Sequence, residues 1–145
     1  MTVNCPRAAL VTVLALVVLV ACGPRSTGPF ELQVGDCFDD PDDPVEQLVE
    51  VPLIGCDQPH DNQIFALFDL PDGGFPGDVA ISDQARDGCL SRFEDYVGTP
   101  YADSELFAAW LPPTSASWEQ GDRQVVCVLF DADGPLVGSQ AGVGR

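Results

Sequence analysis

The chain has 145 residues, of which 23 are acidic and 6 basic, and its formal net charge is −17 at pH 7. The basic residues are all arginines, and so acidic a field repels phosphate backbones, which excludes nucleic-acid binding. The 46% hydrophobic content falls in periodic blocks, which excludes a disordered chain despite 13 prolines and 14 glycines.

The first element is an apolar run from Ala8 to Ala21, preceded by Arg7. As a helix it spans about 21 Å, short of the roughly 30 Å hydrocarbon core, so it reads as a signal-peptide core rather than a membrane span. The run closes on Leu19-Val20-Ala21-Cys22, which resembles the bacterial lipobox. That resemblance implies a signal peptide over 1–21, cleavage before Cys22, and acylation of Cys22 with palmitate-type chains. The protein is then lipid-anchored at the extracytoplasmic face of the cell membrane, with the membrane itself as one partner. Two or three acyl chains anchor stably, where a single one is marginal. Loss of 1–21 removes Arg7 and no acid, which leaves 124 residues and a balance of −18. That is enough chain for one domain with its own core. Residues 22–29 read as a lipidated linker. Eight residue steps reach at most about 28 Å, so the domain over 30–138 and its partners sit close to the membrane.

Within the domain, Leu32–Phe38 reads as a short strand. Asp39-Asp40-Pro41-Asp42-Asp43-Pro44 follows as an acidic turn segment, where proline and aspartate forbid regular structure. Gln47–Ile54 and Asn62–Leu70 read as strands. Val79–Val97 is the one long helix. Ile81, Ala85, Cys89, Phe93 and Tyr96 share one face, Asp78 is the expected N-cap, and Gly98 with Pro100 ends the helix. Ser104–Leu111 contains the continuous apolar run Leu106–Leu111 and is expected as a buried strand. Thr114–Gly121 reads as a loop or short helical turn, Arg123–Phe130 as a central strand, and Leu136-Val137 as a last short strand. Residues 139–145 are expected as a flexible tail. The fold class is α+β: an antiparallel sheet with one main helix packed on one face and two disulfides.

The two disulfides come from Cys37, Cys56, Cys89 and Cys127, an even set in an exported domain. Three pairings are open to four cysteines. Cys37–Cys56 is favoured because it links neighbouring strands across the acidic loop. Cys89–Cys127 is favoured because Cys89 lies mid-face on the helix, within reach of a sheet strand. Each bridge contributes roughly 3–4 kcal/mol by loop entropy. A metal site is the competing use of these thiols, but no C-x-x-C pair is present.

His60 is the lone histidine, in Cys56-Asp57-Gln58-Pro59-His60-Asp61. It is either a loop histidine packed beside a disulfide or a base oriented by Asp57 or Asp61, the basis of a hydrolase alternative. Asp39–Asp43 offers carboxylates to calcium, although the spacing departs from the EF-hand loop and a solvated turn is the default. Asp131-Ala132-Asp133-Gly134 begins like that loop but breaks at Pro135. Trp118 and Arg123 form either an anchor for a partner or a tryptophan closed over the sheet edge with the arginine stacked on it. No Walker loop, dinucleotide fingerprint or H-E-x-x-H motif is present, and no cofactor or catalytic residue is expected.

A set of motifs in order carries a resemblance over nearly all of the mature chain. It runs through Val34-Gly35-Asp36-Cys37-Phe38, Val51-Pro52, Cys56-Asp57-Gln58-Pro59-His60-Asp61, Phe65-Ala66-Leu67-Phe68-Asp69-Leu70-Pro71, Pro76-Gly77 and Cys89. It continues through Trp118, Gly121-Asp122-Arg123, Cys127 and Gly138-Ser139. Together these resemble the septum formation domain of bacterial envelope proteins. The chain departs from that pattern in the longer spacing from Pro52 to Cys56 and in Gln63, where an acidic residue is usual. The resemblance implies an extracytoplasmic domain associated with cell-division septa in Gram-positive bacteria. The expectation is a non-enzymatic binding or accessory module of envelope or septum biogenesis. A surface near His60, Trp118 and Arg123 would recognise another envelope or division protein. The alternative is a ligand-sensing or calcium-dependent binding lipoprotein.

Overall fold

The computed structural model of this chain describes residues 25–27, 31–41 and 51–145. The apolar run 8–21, Cys22, Asp42, Asp43 and the first half of the Gln47–Ile54 strand lie outside the described residues. The strands are β1 (Arg25–Thr27), β2 (Cys37–Phe38), β3 (Val51–Ile54), β4 (Asn62–Asp69), β5 (Phe107–Leu111) and β6 (Gln124–Phe130). The helices are α1 (Asp78–Val97) and the short α2 (Ser115–Glu119). The six strands form one sheet in the order β1-β3-β2-β4-β6-β5, and every pairing is antiparallel. The α+β expectation is met, with α1 packed on one face of the sheet.

The helix buries Ile81, Ala85, Cys89, Phe93 and Val97 against Phe65, Ala66, Val125, Cys127 and Leu129 of the sheet. Between Ile64 and Ala66 the β4–β6 register shifts, so β4 has one residue more than its partner at Phe65. Phe65 and Ala66 then both join the helix-side core, where Phe65 meets Phe93 edge-on at 5.5 Å. A second apolar cluster, Leu32, Phe38, Val51, Ile64, Val126 and Val128, lies apart from the α1 core.

The disulfides are Cys37–Cys56 and Cys89–Cys127, as favoured from the sequence. The first ties β2 to the loop after β3, and the second fastens the middle of α1 to β6.

Five local expectations are corrected. The strand expected over Leu32–Phe38 shrinks to β2, because Gln33 to Asp36 is a turn with Gly35 at φ +98°. Gly77, not Asp78, is the N-cap of α1, and Asp78 is its first helical residue. Leu136 makes one isolated bridge to His60 rather than a strand. Part of the linker, Arg25–Thr27, is the edge strand β1 paired to β3. The segment expected as a flexible tail is docked. Gly142 and Gly144 donate backbone N–H groups to the Tyr96 and Val97 carbonyls, at 2.7 and 2.8 Å, which satisfies acceptors that the end of a helix leaves bare.

Among the described residues, no helix is long and apolar enough to cross a membrane.

Candidate functional site

The motif residues singled out by sequence separate into two clusters at opposite ends of β4. At its start, His60 is only 1% exposed. Its Nδ1 lies 2.8 Å from the Gln58 carbonyl oxygen and donates to it. Its Nε2 is buried and has no hydrogen-bond partner among the described residues. The His60 backbone exchanges both hydrogen bonds with Leu136, at 3.0 and 2.7 Å. Asp57 and Asp61 do not orient the ring. Asp57 accepts from the Gln58 amide, and Asp61 Oδ2 accepts from the Asp40 backbone N–H.

Gln63, the second residue of β4, is fully buried. Its Oε1 accepts from the Gln140 backbone N–H at 2.8 Å, while its Nε2 donates to the Gly35 carbonyl at 3.1 Å and faces the Ser139 hydroxyl at 3.4 Å. An ionised carboxylate offers acceptors only and leaves the Gly35 carbonyl without its donor.

The described carboxylates of the acidic loop are also engaged. Asp39 Oδ1 accepts from the Asp61 backbone N–H, and Asp40 Oδ1 from the Asn62 side-chain amide. Among the described residues, no three His, Cys, Asp or Glu side chains gather in a way that holds a metal ion.

At the other end of β4, Trp118 on α2 is 6% exposed and donates Nε1–H to the Gly73 carbonyl at 3.0 Å. Phe75 meets its ring edge-on at 5.8 Å, and the Arg123 guanidinium lies 3.8 Å from its centroid. Arg123 Nη1 is committed to the Trp118 and Asp122 carbonyls, at 2.9 and 2.7 Å. Gly121, at φ +93°, turns the chain so that this stack forms. An open, mostly polar cleft of about 480 Å³ lies beside it, between Asp69–Asp72 and Gln120–Gln124. The structure does not bring His60, Trp118 and Arg123, expected near a partner surface, together into one exposed patch. Both rings are buried, β4 lies between them, and Arg123 Nη1 holds the turn while its Nε lies 3.5 Å from the exposed Asp72 carboxylate.

The strand expected within Ser104–Leu111 is present as β5, but its place at the edge was not foreseen. The run was expected as a buried strand, but β5 is the last strand of the sheet. Ala108 and Trp110 pack toward α1, and Trp110 Nε1 reaches Ser82 Oγ at 3.3 Å. Alternation turns Phe107, Ala109 and Leu111 to the other face. There Phe107 is 47% and Leu111 39% exposed, and Phe107 stacks on Phe130 at 5.7 Å. Among the described residues, the backbone of 107–111 makes no hydrogen bond beyond its ladder with β6. The composition Phe-Ala-Ala-Trp-Leu, with no charge and no proline, was the available signal.

Residues 28–127 match the sequence profile of the family described as Septum formation. No curated protein matches the chain. No solved structure matches it either.

Proposed function

We infer that this chain, which belongs to the septum formation family, is a lipid-anchored binding or accessory module of the bacterial cell envelope rather than an enzyme. Family membership supports a cell-division-related role. The lipobox-like Leu19-Val20-Ala21-Cys22 supports acylation at Cys22 and anchoring at the extracytoplasmic face. Two disulfides support an oxidising compartment.

The observation that carries the binding role is the uncharged edge strand β5, exposing Phe107 and Leu111 on a chain of net charge −17. The buried, carbonyl-bound His60 supports a structural rather than a catalytic histidine.

The test is fractionation of cells carrying Cys22→Ser, together with cross-linking mass spectrometry of the wild-type protein in growing cells. Release of the variant from membranes, and enrichment of division or wall-synthesis proteins with the wild type, is the expected result. A variant that stays bound overturns the anchor, and wild type without a protein partner overturns the accessory role.

A further inference from the structure

We propose that the free edge of β5 accepts, as a seventh strand, an extended segment of another envelope protein in which alternating apolar residues are flanked by lysine or arginine. The proposal rests on the binding role above and gives that role a surface and a partner chemistry.

Sheet edges in stable proteins are blunted by charge, proline, bulges or brevity, because unpaired N–H and C=O groups recruit other strands. The opposite edge follows that rule, since β1 has only three residues. The β5 edge does not. Its five residues pair with Phe130 to Val126 without a register shift, so the strand is regular along its length. It carries no charge or proline, and its outward backbone groups are unpaired among the described residues. Main-chain pairing supplies affinity in strand addition, and side chains on alternate positions supply specificity. Here Phe107 and Leu111 stand on either side of the small Ala109, about 14 Å apart along the strand. One apolar side chain of the added strand fits the gap over Ala109, between the two larger neighbours.

Charge selects the occupant. Asp103 and Glu105 stand exposed where the chain enters β5; Glu105, 75% exposed, has Arg145 at 3.7 Å, and Asp103 adds a second carboxylate. A second copy brings another −17 and is repelled, as is an anionic membrane. Basic ends on the incoming segment turn the same field into attraction.

The experiment uses the full chain in detergent with a synthetic peptide of alternating valine and threonine carrying two lysines at each end. Backbone amide exchange and titration read the binding. The expected result is saturable binding with protection confined to 107–111 and neighbouring β6. Binding weakens at least tenfold for a glutamate-ended peptide, and at least tenfold for Ala109→Lys and for Leu111→Ser. Melting curves establish that these variants remain folded. Three results overturn the proposal: no protection at β5 with millimolar peptide, protection without peptide that rises with protein concentration, or protection without peptide in phosphatidylglycerol vesicles. The second assigns the edge to another copy and the third to the membrane. Any of these leaves the anchor and the in-cell partner to be judged by their own test.

Discussion

Gln63 Oε1 accepts the backbone N–H of Gln140 at 2.8 Å, across 77 residues of chain. Both side chains are buried, and the same Gln63 amide reaches the Gly35 carbonyl beside the Cys37–Cys56 bridge. One side chain thus locks three segments, the turn before β2, the start of β4 and the segment after Leu136, into one cluster. A buried amide does this only if its donor and acceptor are both used.

Gln63→Glu keeps the shape and loses the donor once the carboxyl ionises. Burial raises the carboxyl pKa in the folded state, so the folded form resists ionisation. The deficit is smallest below the unfolded carboxyl value of about 4.3 and grows as pH rises through and above it. At pH 7 a loss of about 1–3 kcal/mol is expected. Urea titrations at pH 4 and pH 7 check it, and an equal loss at both pH values contradicts the account.

Cys89–Cys127 closes the longer loop, with 38 residues of separation against 19 for Cys37–Cys56. Loop entropy gives the former about 4 and the latter about 3 kcal/mol. Paired alanine variants of the α1–β6 bridge are therefore expected to lose more stability, and they also open space beside Phe93 and Val125. Denaturant unfolding of the two double variants side by side reads the order.

Trp118→Ala removes a buried ring, its bond to the Gly73 carbonyl and the platform under Arg123. A loss of about 3–5 kcal/mol is expected. Trp118→Phe keeps most of the ring and loses chiefly the hydrogen bond, about 1 kcal/mol. Calorimetry separates the two. Because Trp118→Phe leaves Phe107, Ala109 and Leu111 and the β5 backbone unchanged, peptide binding by this variant is expected to be unchanged.

Asp131 gives the cleanest acid-side signal. Its carboxylate accepts the Asp133 backbone N–H at 2.9 Å and pairs with Arg145 at 3.0 Å. The Asp133 bond chiefly, helped by Arg145 and opposed by burial, holds its pKa below the ordinary value of 3.8. A depressed folded pKa means stability that is present above about pH 4 and lost as pH falls through the lower folded value. The pair is partly solvated, so the effect is about 0.2–1 kcal/mol. Asp131→Asn is expected to flatten the stability curve between pH 2 and 5, seen by thermal melting across that range.

What the sequence made legible was local or covalent. Ile81, Ala85, Cys89 and Phe93 declare one helix face by period, and the even cysteine set points to two bridges. The order of strands is a long-range property, and it decides whether Leu106–Leu111 is buried on both sides or lies at an edge. A continuous apolar run suits either place. The burial of His60 and Trp118 depends on carbonyls at Gln58 and Gly73, a choice that residue type does not reveal. The glycine-rich end reads as flexible by composition, yet its N–H groups cap α1.

In the proposed function, this chain is an anchored module whose β5 edge meets another envelope protein. The most direct measurement places a photo-cross-linking residue at Ala109 of the full chain in growing cells and identifies the adducts by mass spectrometry. The account predicts a division or wall-synthesis protein joined through a segment flanked by lysine or arginine, and loss of that adduct in the Cys22→Ser background. Adducts only to a second copy or to lipid, or the same protein captured equally without the anchor, would contradict it.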